Sequence, residues 1–480
     1  MRARLPSLVA ALSVAAATAF AGQDGNPPWF PSLMAFEHHD SARTHLFEQA
    51  RFGGSYDGNN QVAVRTAPVT YPTGYNMVYL SPDNVFLYGG GYGNIPNATG
   101  AFVAKVDPDT LEPVWHNQLT NTAESGEWDY PGVVSLLNDG LLYVIYGYRL
   151  AKLSPEDGAV VGQVDLPTGE ALPENTSYNG FNALPDGTLI AKTVYREQGC
   201  QLQGPPGLFN CPDPGNVPPS ILVSINPRTL NVLDQVTLPA LVAGRPTTAR
   251  FRGHDYVYLT TATTAIRYLV ENGKFTLDES WDPGDIYQPG QAIASAVVVM
   301  GDWFVVQTNG SPAAAPLSVV VINQADAAQR FSAQPFANFP VPDGFPTSWA
   351  PMSVSVDPDH NLIYTADSSP GAIGALELTT DGLRTVWTVR QRTTEFLALI
   401  GPPDRRVLVG TAIPPGQAPN QNTTDLVVWR DAQTGRELAH TRQLPAMTSG
   451  TMIQPYYFGK VFYLGLDGDL LELTAQPAPG

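Results

Sequence analysis

Basic residues are scarce in this chain, and cysteine is scarcer still. Lys and Arg together number 26 against 44 Asp and Glu, for a formal charge of −18. A surface that negative repels polyanions, which excludes nucleic acid as a partner. Only two cysteines, Cys200 and Cys211, occur in 480 residues, and no His pair stands near them to complete a zinc site. The chain also lacks a Cys-x-x-Cys-His haem motif, a Gly-x-Ser-x-Gly elbow and any nucleophile with a neighbouring base. Beyond residue 21 no uninterrupted apolar run is long enough to span a bilayer, so no membrane span is expected.

Residues 1–21 have the layout of a secretory signal: Arg2 and Arg4, an apolar stretch from Leu5 to Ala17, and the small-x-small site Ala19-Phe20-Ala21. The expected product is a secreted or periplasmic protein. Export would let Cys200 and Cys211 form a disulfide across the Gly/Pro-rich excursion they bracket. Four triplets, at Asn97, Asn175, Asn309 and Asn422, fit the glycosylation acceptor pattern, which has meaning only in a eukaryotic secretory pathway.

Gly and Pro, at 44 each, suit a turn-dense all-β chain. The stretch from Asp83 to Leu119 shows how it is built. Val85-Phe86-Leu87-Tyr88 is one strand and Phe102-Val103-Ala104-Lys105-Val106 the next. The cluster Asp107-Pro108-Asp109-Thr110 then turns the chain into a third strand ending on Val114-Trp115. Versions of this meander recur over about 75–119, 126–167, 176–239, 244–283, 290–336, 348–391 and 393–445. An eighth begins near Thr448 and stops one strand short. The lone strand at 61–65 can supply the missing one and close a ring without open edges. The expectation is an eight-bladed β-propeller over 61–480, with seven blades as the alternative reading. Residues 22–60 precede it as an extended segment with one short helix over 36–50.

The turns in VDPDTLEPVW, INPRTLNVLDQV and WRDAQTGREL resemble the repeat of the quinoprotein (PQQ-like) propellers, with an aliphatic pair, an Asp-x-x-Thr-Gly turn and a Trp. The resemblance extends over nearly all of 75–476. It implies the fold, usually of eight blades, and not a cofactor, because binding propellers carry similar repeats. The quinone-dependent dehydrogenases of this group typically add two adjacent cysteines and a tryptophan docking motif in each blade. Here Cys200 and Cys211 are separated, and Trp stands at only some turns (Trp115, Trp387, Trp429).

In a propeller the starts of the innermost strands form the usual ligand face. Around the ring these positions hold Tyr75-Asn76, Trp128-Asp129-Tyr130, Tyr178-Asn179, Arg245 and Arg250, Gln288 and Gln291, Trp349, Glu395 and Thr451. One reading stacks a ring-shaped ligand on Trp128, Tyr130 and Trp349, with Tyr75, Asn76, Tyr178, Asn179 and Arg250 around it and Asp129 or Glu395 as acid or base. The other has the aromatics bracing blades and the polar groups satisfying turn backbones. A second cluster, Glu37-His38-His39-Asp40, offers metal-ligand chemistry if His254 or another distant group joins His38 and His39. The preferred reading is a surface N-terminal segment with clustered polar residues and no metal.

The functional expectation is an exported propeller binding a small molecule or protein partner at its funnel and at the loops 196–220, 310–317 and 411–424. The alternative is an enzyme in the same funnel, either a lyase or hydrolase on a sugar-like substrate or a metal- or quinone-dependent oxidoreductase. No cofactor is the preferred state, with a metal or PQQ as the other options.

Overall fold

Eight sheets stand around one axis, each beside the next in chain order; seven are four-stranded and antiparallel, and the seventh in chain order has six strands because Leu46–Phe47 adds in parallel to its inner edge and Leu444–Pro445 pairs with its third long strand. The structure, a computed structural model, describes residues 28–91, 99–197, 217–417, 423–448 and 450–479. The signal-like stretch, Cys200 and Cys211, Asn97 and Asn422 lie outside the described residues. Blades one to seven cover 76–118, 133–165, 176–237, 247–277, 298–333, 355–390 and 398–440. The eighth has three strands between 454 and 477 and takes Asn60–Thr66 as its fourth. The architecture is the eight-bladed ring that the repeats imply.

Burial explains the pattern of each blade. The second strand is packed on both faces by neighbouring blades, so Leu142–Tyr146 and Leu189–Tyr195 are buried at every position. The outermost strand faces solvent on one side, and Pro113–Gln118 accordingly alternates. The Asp and Asn turns close by side-chain capping: Asp107 Oδ1 accepts from the amides of Asp109 and Thr110, at 2.7 and 3.1 Å. The Trp and Gly of the repeat meet across blades. Trp115 lies on Gly158 and Trp387 on Gly435, where an added Cβ would come within 2.7 Å of the indole. Trp387 Nε1 also donates to Ala432 O at 2.9 Å.

The ring closes through Asn60–Thr66, which pairs antiparallel with 471–477 from Asn60↔Pro477 to Thr66↔Leu471. The residues before that strand enter the axis. No helix forms over 36–50, and the segment instead runs round the inner rim, hydrogen-bonding each blade. Met34 O accepts from Tyr79 N (2.8 Å), Ala35 O from Leu136 N (2.8 Å), Ser41 O from Thr248 N (3.2 Å) and Ala42 O from Val299 N (2.9 Å). Thr44 O then accepts from Val356 N (3.0 Å) and His45 O from Leu399 N (2.8 Å). Ser41 Oγ donates to Ala183 O in blade three, and Leu33 N to the Tyr457 hydroxyl in blade eight.

Each innermost strand is an edge strand facing the channel, and this circuit satisfies its free amides. A helix would have kept those carbonyls for itself. The curvature needs left-handed backbone at His39, Arg43 and His45, with φ of 76°, 59° and 58°. Leu33, Met34, Phe36 and Phe47 are fully or almost fully buried, and Phe36 stacks on Trp29 at 4.4 Å.

Because the segment is part of the core, Phe36→Ala should destabilise the protein by about 3–5 kcal/mol. Urea titration followed by circular dichroism should show the midpoint fall, and an unchanged midpoint would contradict the axial packing.

Candidate functional site

Amides from the inner strands clamp one blade to the next. Asn76 does so with both ends, donating to Val134 O at 2.8 Å and accepting from Val134 N at 3.1 Å. Asn182 donates to Pro246 O, Gln307 on the second strand of blade five donates to Met352 O, and Gln454 accepts from Met77 N, joining blade eight to blade one. Against this framework the axial segment places Glu37 between two guanidinium groups. Arg43 lies at 3.1 Å from Glu37 Oε1, and Arg245, which enters from the start of blade four, pairs with Oε2. All three are nearly or fully inaccessible.

Burial alone would raise the Glu37 pKa, but Arg245, His38 and Arg43 together hold it well below the carboxylate range. Arg245 also donates to Asn179 O and Pro131 O, and its guanidinium lies 5.1 Å from the centre of the Tyr75 ring. Lys192, on the second strand of blade three, gives its amine to Asn179 Oδ1 at 3.0 Å and Ala243 O at 3.2 Å. Burial, then Arg245 and Arg43, push that amine well below its usual value. His38 and His45 meet ring to ring, Nδ1 to Nε2 at 2.6 Å, beside Phe396. Burial pushes His38 down to about 4 despite Glu37, and lowers His45 further below normal.

The two carboxylates read from the funnel positions both accept backbone and hydroxyl hydrogens. Asp129 Oδ2 accepts from Ala101 N at 2.7 Å and Thr120 Oγ1 at 2.8 Å, while Oδ1 accepts from Gly147 N at 3.0 Å. It ties blade one to blade two, and burial raises it to about 6 against those bonds. Glu395 accepts from Thr451 N at 3.0 Å and Thr394 Oγ1 at 2.7 Å, joining blades seven and eight. Burial raises it well above the usual range. Asp367, a similar residue not singled out in the sequence, accepts from Ser348 Oγ, Trp349 N and Ser369 N and is raised to about 6 by burial.

Tyr75, Tyr130, Asn179, Arg245 and Glu37 form one contiguous group, with Trp128 5.5 Å from Tyr130. Tyr75 also reaches Gly450 O at 3.3 Å, next to the Glu395 partner Thr451. Arg250 is elsewhere: it sits late in its strand, in a two-bonded pair with Asp255 on the next. Tyr178 is buried and donates to Pro167 O. Of the expected ligand set only Tyr130 and Trp349 keep partial exposure, while Tyr75, Asn76, Trp128, Tyr178 and Asn179 are buried. The indole N–H groups of Trp128 and Trp349 have no partner among the described residues.

His254 is exposed on the first hairpin of blade four, facing Glu271 at 3.9 Å, whereas His38 is enclosed at the axis; His39 packs on Phe47. Among the described residues no three His, Cys, Asp or Glu side chains are placed to hold a metal. Asn175 and Asn309 are buried, Asn309 donating to Ala315 O, so neither is open to a glycan. Sequence reasoning passed over Lys192 and Arg43. Their signal was a single charge inside an otherwise apolar strand and a cation beside the Glu-His-His-Asp run.

No protein-family model matches the chain, and no curated protein does. Solved structures do. Quinohemoprotein alcohol dehydrogenase from Comamonas testosteroni is 11% identical at a TM-score of 0.58, over 93% of this chain and 80% of that one. A europium-containing methanol dehydrogenase is 10% identical at 0.55, over 92% and 88%. BamB from Moraxella catarrhalis is 9% identical at 0.51, over 86% and 99%. At such identities the likeness carries the fold alone, which is quinoprotein-like. The axis does not suit a quinone bearing several carboxylates: residues 33–47 run around it, and Arg43 and Arg245 are turned to Glu37.

Glu37→Gln should cost about 3–5 kcal/mol, because two buried guanidinium groups lose their counter-charge. Equilibrium unfolding in urea at pH 7 measures it. A pH series separates the other groups. His38, with its pKa lowered to about 4, binds its proton more readily unfolded, so its contribution raises stability between pH 4 and 6.5. Asp129, raised to about 6, acts in the opposite sense between pH 4 and 6. Asp129→Asn should therefore steepen the rise of stability with pH across that window, by up to about 1.4 kcal/mol per pH unit. An unchanged slope would contradict the raised pKa of Asp129.

Proposed function

We propose that this is an exported, non-catalytic binding propeller that takes a small molecule or a protein partner on the face around Tyr130 and Trp349. One observation carries the reading: the charged groups of the funnel and axis are already committed within the protein. Asp129 and Glu395 hold backbone amides, and Glu37 holds two arginines. A general acid or base needs a proton path to substrate, and these groups are built into blade-to-blade joints. What the face offers instead is partly exposed aromatic surface, the chemistry of a recognition anchor.

Among the described residues no helix is long and apolar enough to cross a membrane. Export rests on the basic start, apolar stretch and small-x-small site of residues 1–21. Ligand screening by thermal shift, followed by titration of any hit, tests the reading. Tyr130→Ala and Trp349→Ala should each weaken the bound species about tenfold or more, while the unfolding midpoint changes little. Metal analysis and an absorption spectrum should be blank on protein purified from its export route. A stoichiometric metal, a quinone-like band, or turnover lost in Asp129→Asn or Glu395→Gln would overturn it in favour of an enzyme.

A further inference from the structure

A cleft of about 400 Å³ opens between blades six and seven. Its size falls within the range of small-molecule sites. One wall is a face of blade seven. Leu426, Val428 and Arg430 lie two residues apart on one strand and so share that face, with His440 opposite Val428 on the outer strand. Ile413 and Pro414 extend the apolar surface. The other wall is the end of the outer strand of blade six, with Arg390, Gln391 and Arg392 beside Pro370 and Gly371.

The charge of this cleft runs against that of the chain. Three arginines line it, and among the described residues the only lining carboxylate is Glu437, which is bonded to Arg430 at 3.3 Å and to His440 at 2.7 Å. Arg149, Arg250, Arg267 and Arg406 all have carboxylate partners. Among the described residues Arg390 and Arg392 have none. They are held in place by neutral groups instead. Arg390 donates one nitrogen to Pro370 O at 2.7 Å and lies over the Phe339 ring at 4.9 Å. Arg392 reaches Ser368 O and Gln417 O and lies over Phe345 at 4.8 Å. Burial and the charge of Arg390 lower the Arg392 pKa, as expected for neighbouring cations without an anion between them.

We propose that this cleft binds an amphipathic organic anion. Its carboxylate or phosphate head sits at Arg390 and Arg392, and its hydrocarbon body lies along Leu426, Val428 and Ile413. Guanidinium groups fixed on aromatic rings are suited to such a head: Arg390 gives only one nitrogen to a carbonyl, and Arg392 gives one hydrogen from each nitrogen, to Ser368 O, Ser369 O and Gln417 O, which leaves two N–H. The apolar floor separates this ligand from a free inorganic anion.

Calorimetric titration of the full chain with octanoate, octanol and inorganic phosphate tests it. Octanoate should bind, with octanol and phosphate each at least tenfold weaker. Arg390→Gln/Arg392→Gln should reduce octanoate affinity at least tenfold. Arg390 is exposed, so Arg390→Gln alone carries the test if loss of Arg392 disturbs folding; a threefold or greater loss is expected there. No octanoate or phosphate binding at millimolar concentration, octanol binding equal to octanoate, or affinity unchanged in the variants would overturn the proposal. Tyr130→Ala should leave octanoate binding unchanged, which keeps this site distinct from the funnel face.

Discussion

The ladder between Asn60–Thr66 and the last strand of the chain is the constraint on which the ring depends. An eight-blade array left open would expose edges at its first and last sheets. This chain removes them by giving its last blade a strand from its own beginning. The same stretch of sequence does a second job immediately upstream, because residues 33–45 supply carbonyls to six of the inner strands in turn. Rim closure and axial packing are therefore covalently continuous. Neither can form fully until the blades are in place, since the contacts reach from Met34–Tyr79 in the first blade to His45–Leu399 in the seventh and Asn60↔Pro477 in the eighth. The local meanders can form early, whereas the latch and axial circuit add stability only once the ring is assembled.

Polar chemistry at the axis follows from that arrangement. A segment that must lie against eight inner strands brings its own side chains into a dry space, and charge there is tolerable only when paired. Glu37 between Arg43 and Arg245 is the solution, and it joins the segment to blade four. The histidines beside it are held neutral by burial, so they add no further charge. Asp129, Asp367 and Glu395 show the same economy in the joints between strands, where burial raises their pKa and amide donors stabilise them. Shifted pKa values here are consequences of structural burial, which is why they do not by themselves mark catalysis.

The blades were legible because two simple signals coincide in them: continuous apolar second strands such as Leu142–Tyr146, and Asp or Asn turns with a Gly at the docking point of a Trp. The closing strand was legible by arithmetic, one strand missing at one end and one spare at the other. Residues 36–50 were not. Their spacing permits a helix, and only the eight free inner edges, invisible in the sequence, decide otherwise. The site residues divide on the same line. Asp129 and Glu395 do stand at inner-strand starts, but what they face is set by the neighbouring blade. Arg245 and Arg250 differ by five positions in sequence. One precedes its strand and reaches the axis, while the other sits near the strand's far end and meets Asp255.

The charge distribution also separates the two faces on which recognition is argued. An exterior dominated by carboxylates repels an anion during approach, so a site for one must present cations fixed at short range. Arg390 and Arg392 satisfy this, because aromatic rings and carbonyls fix them without cancelling their charge. Around Tyr130 the situation is reversed: the nearest cation, Arg245, is neutralised by Glu37, and the accessible surface is aromatic. A ligand there would be held by apolar and stacking contacts that salt leaves largely intact, whereas the cleft between blades six and seven depends on charge. The two proposed sites would therefore respond differently to salt, the cleft losing affinity as ionic strength rises and the aromatic face keeping it.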